Sequence, residues 1–167
     1  MLKWHRKFVF HEMRPLTIMT AMKQKVLFIC VHNSARSQMA AALLNESCGE
    51  FFEAESAGLE PGTLNPLAVE ALQELGIDIS HNKTQSVFEV WKSGKMFKYV
   101  ITVCSEAETE GCPIFAGVTT RLHWPFPDPA RIEGTPQEKL RRTRDVREMI
   151  QAKIDCFCQE RCGVWSV

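Results

Sequence analysis

The sequence predicts a doubly wound α/β fold, with four parallel strands in one sheet flanked by helices. Three observations carry this expectation. Val26-Leu-Phe-Ile-Cys-Val31 is an unbroken apolar run, as a strand buried on both faces of a parallel sheet requires. Strand-like and helix-like segments then alternate along the chain. A length of 167 residues, 45% hydrophobic and 24% charged, is that of one ordinary globular domain.

Each element has its own reason. After the first strand, Met39, Ala40, Leu43 and Leu44 recur at helical spacing, and Gly49 closes that helix. Phe51 to Ala57 reads as the second strand, ended by Gly58. Asn65-Pro66 is a helix start, with Asn as N-cap and Pro in the first turn. Leu64, Ala68, Ala71, Leu72 and Leu75 form its apolar stripe, and Gly76 is its stop. Ser86 to Trp91 suggests a short helix with Val87, Val90 and Trp91 inward. Tyr99-Val-Ile-Thr-Val-Cys104 is a third buried strand, and Thr119 to Trp124 a weaker fourth. Thr135-Pro-Gln-Glu138 is a capping box that opens a last helix, with Leu140, Val146, Ile150, Ile154 and Phe157 on one side. Residues 1–22 have no clean period and read as an extension outside the domain, which is expected to span residues 23–167.

Composition excludes several functions. Twenty basic side chains balance twenty acidic ones, and residues 26–130 hold six basic against thirteen acidic. An acidic body of this kind is not a nucleic-acid binder. No apolar run approaches the roughly 20 residues that cross a bilayer. The seven cysteines are odd in number and follow no secretion signal, so a reducing cytoplasm is expected, with catalytic or inert core cysteines rather than structural disulfides. Cys48 reads as core.

The first chemical motif is Cys30-Val-His-Asn-Ser-Ala-Arg36-Ser37, lying between the best strand and the best helix. In open α/β sheets, ligands bind at the carboxyl ends of strands. A five-residue loop there can curl its backbone N–H groups inward to form an anion nest, and the helix N-terminus adds partial positive charge. Val31, His32, Asn33, Ser34, Ala35 and Arg36 would line the cup, with Arg36 offering a planar fork to two oxyanion oxygens. Cys30, seated in it, is the candidate nucleophile. The Ser37 hydroxyl can hydrogen-bond its sulfur. His32 is placed to reach a substrate. The bare spacing recurs by chance in a chain this rich in Cys and Arg; the flanking elements give it weight, against a buried structural Cys.

Two further motifs stay open on spacing alone. Asp128, in Pro125-Phe-Pro-Asp-Pro-Ala130, is a candidate general acid on a rigid loop, but an Asp before Pro is more often a turn cap. Cys104 ends the third strand at the same sheet edge as Cys30, and Cys112 follows after a polar loop with three Glu. These two could relay electrons by thiol–disulfide exchange, or be a core Cys and an unrelated loop Cys. Cys156, Cys158 and Cys162 invite a metal site, yet only Cys158 and Cys162 share a helix face and no His is near. Packing of the terminal helix is the favoured reading, and no metal or cofactor is expected. His123 and Trp124 are read as supports for the Asp128 loop.

The ordered blocks Phe28 to Ala40, Ser56-Ala-Gly58, Asn65-Pro66 with Gly76 to Ser80, Cys104…Cys112-Pro113 and His123 to Ala130 resemble the arsenate reductases of the thioredoxin-coupled type, which share the fold of the low-molecular-weight tyrosine phosphatases. The resemblance covers about residues 24–160. It implies attack of Cys30 on arsenate held by Arg36 and the loop amides, with Asp128 as general acid. It implies transfer of oxidation to a Cys30–Cys104 and then a Cys104–Cys112 disulfide, which thioredoxin reduces. Phosphate and sulfate would compete for the cup. Asn33 and Ser56 match positions that shape the loop. A monomer acting in the cytoplasm is implied.

Three departures stand out. The Cys104–Cys112 spacer is one residue longer than in the best-known members. Some members bind potassium near the loop, where the expected acidic positions are here Ala41 and Gln85. Residues 1–22 have no counterpart. The alternative is hydrolysis of phosphotyrosine through a Cys30 phosphoenzyme, which needs only Cys30, Arg36 and Asp128. That activity wants aromatic walls and tyrosines after the Asp-Pro, whereas Ala130 stands here and the sole Tyr is Tyr99. The reductase is favoured, with weak activity on aryl phosphates.

Overall fold

The computed structural model describes residues 22–105, 111–117 and 119–162. The expected extension therefore lies outside the described residues, apart from Met22. Strand β1 (Gln24–Cys30) leads into helix α1 (Arg36–Cys48), then β2 (Phe52–Gly58), α2 (Pro66–Gln73), α3 (Val87–Lys92), β3 (Tyr99–Thr102), β4 (Thr120–His123) and α4 (Pro136–Cys162). The four strands form one sheet in the order β2-β1-β3-β4, parallel throughout.

β1 is central because every residue from Val26 to Cys30 is buried. The strand's two-residue period divides them. Val26, Phe28 and Cys30 enter the larger core, while Leu27 and Ile29 enter the smaller one on the opposite face. Helices α1, α2 and α4 supply the larger core. Val87 and Val90 of α3, with Phe97 and Phe115, supply the smaller. Phe157 of α4 closes the larger core by stacking against Phe52, Tyr99 and Trp124. Among the described residues, no helix is long and apolar enough to cross a membrane.

The helix signals act as their chemistry dictates. The Asn65 side chain accepts the Leu67 N–H at 2.9 Å, and Ser86 accepts that of Phe88 at 3.2 Å. Thr135 and Glu138 form the reciprocal box, with Glu138 Oε2 accepting the Thr135 N–H and Thr135 Oγ1 accepting the Glu138 N–H.

Three expectations are corrected. Trp91 is 46% exposed rather than inward. It lies one helical step past buried Val90, on a six-residue helix too short to bury both, and its indole N–H caps the Ile114 carbonyl at 2.9 Å. Leu75 is 49% exposed because α2 ends at Gln73, ahead of it. Cys48 lies in the core as expected, but the expectation of no structural disulfide is overturned: it is bonded to Cys158, tying the end of α1 to α4. Packing of these two helices brings together cysteines 110 residues apart, a pairing that no spacing rule could reveal.

Candidate active site

The carboxyl ends of β1 and β3 and the start of α1 frame the site. β1 ends on Cys30, and the next five residues turn sharply before α1 begins at Arg36. The loop carbonyls are engaged on its outer side. Leu59, Glu60, Gly62 and Asn65 donate their N–H groups to the carbonyls of Cys30, Val31, His32 and Ser34 at 2.8–3.1 Å. With these carbonyls engaged, the Asn33 N–H is directed to the Cys30 sulfur. Gly58 presses against it: a Cβ there would lie 2.7 Å from both Asn33 N and Val31 O. Only glycine permits that approach.

Cys30 is buried, and two groups meet its sulfur. The Asn33 backbone N–H donates to it at 3.1 Å, and the Ser37 hydroxyl lies 3.0 Å away. Asn33 adopts a left-handed backbone (φ 52°), which Asn tolerates better than most residues. Its Nδ2 donates to Ser37 Oγ at 2.9 Å, so Asn33 and Ser37 hold the sulfur as one unit.

Arg36 is buried at the helix N-terminus. It donates to the Phe126 carbonyl at 3.3 Å and to Asp128 Oδ2 at 2.9 Å. The other Asp128 oxygen accepts the Ala130 N–H at 3.0 Å, capping the single 3-10 turn Pro129–Arg131. Asp128 is thus both the turn cap that spacing favoured and a carboxyl held at the cup. Trp124 packs on Phe28 beneath this loop. His123 Nδ1 lies 2.7 Å from Thr102 Oγ1. His32 faces out of the cup, its Nδ1 3.1 Å from the Glu60 carbonyl.

The two other cysteines of interest sit differently. Ile29 pairs with Thr102 in register, so Cys30 stands beside Val103 and Cys104 is one residue beyond. Because β3 has already ended at Thr102, Cys104 leaves the strand alternation and is buried in the same core as Cys30. Cys112 instead packs half-buried against the smaller core, on the other face of the sheet. Burial there pushes its thiol above its ordinary pKa, and nearby Arg121 partly offsets the shift. The polar Glu-rich stretch between these cysteines falls largely on 106–110, outside the described residues.

A family profile for the low molecular weight phosphotyrosine protein phosphatases matches residues 25–160. The chain belongs to that family. Within it, the chain groups with the arsenate reductases. That of Halalkalibacterium halodurans is 37% identical over 138 residues, covering 82% of this chain and 96% of the relative. The crystal structure of an arsenate reductase from Archaeoglobus fulgidus aligns with a TM-score of 0.58 and 30% identity, covering 77% of this chain and 98% of that one. A thioredoxin-dependent arsenate reductase from Corynebacterium glutamicum aligns with a TM-score of 0.56 and 31% identity, over 81% of this chain and 63% of that one.

Among the residues of this phosphatase-fold site, sequence reasoning missed a layer of amides behind Asn33. Asn33 Oδ1 accepts the Gln85 backbone N–H at 2.9 Å and Gln38 Nε2 at 3.3 Å. Gln85 Nε2 donates to the Ser56 carbonyl at 2.8 Å. Ser56 thus serves the loop through its backbone, while Gly58 makes the direct contact. The signal available was Gln38 beside the motif; nothing in the spacing pointed to Gln85. A cavity of about 400 Å³ opens here, lined by Gln38, Ala41, Ser56, Lys83 and Gln85 among others. Potassium does not fit these residues. Asn33 Oδ1 already accepts two N–H donors, Asn82 Nδ2 holds Gln38 Oε1 at 3.0 Å, Ala41 supplies no ligand, Lys83 lines the same space, and Glu55, the carboxylate that also lines it, is paired with Lys95 at 2.7 Å.

Proposed function

We propose that this protein reduces arsenate to arsenite, with Cys30 as nucleophile and Cys104 and Cys112 as the carriers of oxidation. The observation that carries the reading is the seating of a second thiol, Cys104, in the same core as Cys30 at the end of the adjacent strand. A hydrolase has no use for it. The names borne by the relatives support the same activity.

The arsenate oxyanion sits in the cup on the loop amides of Val31 to Arg36, with the Arg36 guanidinium across two of its oxygens. The Cys30 thiolate attacks arsenic, forming an S–As bond. The departing oxygen takes a proton from Asp128 and leaves as water. The Cys104 thiolate then attacks the Cys30 sulfur. An S–S bond forms, the S–As bond breaks, and its electron pair stays on arsenic, which leaves as arsenite. Two thiols have given the two electrons that separate arsenic(V) from arsenic(III). Cys112 next attacks the Cys104 sulfur and releases Cys30, and the Cys104–Cys112 disulfide passes to an external dithiol of the thioredoxin class. Arg36 stays fixed at the helix N-terminus, while Ser37 and Asn33 stabilise Cys30 as attacking and leaving group.

Cys112 must leave the smaller core for this relay. Eight chain steps separate it from Cys104, a span of about 28 Å when extended, so the tether does not limit the move. Residues 23–167 act as one catalytic domain, monomeric and cytoplasmic, with phosphate and sulfate as competing oxyanions.

Phosphotyrosine hydrolysis is the lesser reading. The chain's sole tyrosine, Tyr99, is buried between Phe52 and Phe157 and offers no wall to a phenyl ring. A thioredoxin-coupled arsenate assay beside an aryl-phosphate assay on one sample tests the choice. Arsenate-dependent consumption of reduced thioredoxin is expected, with slow aryl-phosphate hydrolysis. Fast hydrolysis without arsenate-dependent consumption would reverse the assignment.

A further inference from the structure

We infer that Gln85 is a positioning residue for the anion-binding loop: its side-chain amide, anchored on the Ser56 carbonyl, holds its backbone N–H on Asn33 Oδ1, so that the loop's order needs no bound monovalent cation. The inference rests on Cys30 being the nucleophile of that loop.

Gln85 is bonded at three points. Its backbone N–H donates to Asn33 Oδ1 at 2.9 Å, and its side-chain Nε2 donates to the Ser56 carbonyl at 2.8 Å. Its own carbonyl accepts the Gly58 N–H at 2.9 Å. It therefore stitches the end of β2, at Ser56 and Gly58, to the one loop residue that touches the nucleophile. Gln38, in the first turn of α1, is the second jaw. Its Nε2 donates both to Asn33 Oδ1 and to the Lys83 carbonyl, each at 3.3 Å. Asn82 Nδ2 donates to Gln38 Oε1 at 3.0 Å and so fixes which end of that amide faces Asn33.

The clamp has a consequence for chemistry. With Oδ1 held from two sides, the Asn33 amide can only turn its Nδ2 toward Ser37 Oγ. The left-handed backbone at Asn33 is then the conformation that aims its N–H at the Cys30 sulfur. Asn33 is fully buried, and a buried amide that loses a partner loses its reason to stay in place. Two N–H donors fill both acceptor positions of Asn33 Oδ1, so at this oxygen amide and cation are alternatives.

The test uses the full chain with p-nitrophenyl phosphate as substrate and inorganic phosphate as competitive ligand. Gln85→Leu keeps the bulk and removes the side-chain donor. It is expected to raise KM and the phosphate inhibition constant about tenfold, the size of one lost buried hydrogen bond. It should also slow Cys30 alkylation at one fixed pH, with the far-ultraviolet circular dichroism unchanged. Gln85→Asn, which keeps a shorter amide, should recover part of both. If Gln85→Leu does not fold, Gln38→Met removes the other jaw and carries the same readouts. For the parent protein, potassium chloride and tetramethylammonium chloride at equal ionic strength should give equal rates. Unchanged KM and unchanged Cys30 alkylation rate in the variants, or stimulation of the parent by potassium, overturns the clamp. Cys30→Ser separates the two claims: hydrolysis that survives it defeats the nucleophile, whereas hydrolysis lost in Cys30→Ser but untouched in Gln85→Leu defeats the clamp alone.

Discussion

Arg36 and Asp128, 92 residues apart in the chain, meet in an ion pair of 2.9 Å with side chains only 4% and 12% exposed. One end of the pair belongs to the helix that opens at the loop after Cys30, the other to a proline-rich loop tied to the end of the third strand by the Phe126 N–H on the Val103 carbonyl at 3.3 Å. The contact fixes the carboxyl beside the loop, where the proposed mechanism needs a proton for a leaving oxygen.

Asp128→Asn preserves an acceptor for the Ala130 N–H but supplies no acid. Aryl-phosphate kcat is expected to fall by about 10²-fold or more. Stability should fall by about 1–3 kcal/mol, because buried Arg36 loses a charged partner. Steady-state kinetics with urea unfolding checks both. Unchanged kcat would reduce Asp128 to a turn cap.

Gly58→Ala tests the close approach of β2 to the loop. Its Cβ would meet the Asn33 nitrogen and the Val31 oxygen at 2.7 Å, and both are backbone atoms that can move only if the loop moves. A loss of about 1–3 kcal/mol is expected, together with weaker phosphate binding by isothermal titration. Parent-like phosphate affinity would show that the loop tolerates displacement.

The Cys48–Cys158 bond closes a 110-residue separation. Under non-oxidising handling without reductant, Cys158→Ser should be less stable than the parent by about 2–4 kcal/mol. Dithiothreitol should lower the parent's melting temperature toward the variant's. Coincident melts would mean that the bond contributes nothing in solution.

How far the sequence spoke for this protein depends on the range of the interaction. β1, the Asn65 and Ser86 caps and the Thr135–Glu138 box are local, and each rests on residues within a few positions of one another. The Cys30–Ser37 motif was legible for the same reason: Cys30, the loop and Arg36 are contiguous. Position 85 was singled out only through the resemblance, and its bonding role was not legible, because it lies in bonds to Asn33 and Ser56, residues 52 and 29 positions away. Trp91 misled because periodicity places a residue on a helix face without saying whether anything covers that face. The seating of Cys112 in the smaller core has no signal at all in the spacing from Cys104.

That seating has a pH consequence. Burial raises the Cys112 thiol above its ordinary pKa. A raised thiol is protonated at neutral pH, and its thiolate fraction grows only as pH climbs towards and past the ordinary thiol range. Alkylation of Cys112 should therefore lag behind that of exposed Cys156 at neutral pH and gain on it as pH rises. Peptide mapping after timed iodoacetamide pulses follows both sites. Equal rates at neutral pH would show that Cys112 spends its time outside the core.

The account turns on electrons passing from one thiol to the next, and Cys112→Ser isolates the first transfer. Treated with arsenate and no external dithiol, this variant should release one equivalent of arsenite and then stop. Peptide mapping by mass spectrometry should find a Cys30–Cys104 disulfide, while the fully reduced variant should still hydrolyse p-nitrophenyl phosphate. Continued arsenite release with added thioredoxin, or release of none alongside intact hydrolysis, would contradict the relay and leave an ester-cleaving enzyme.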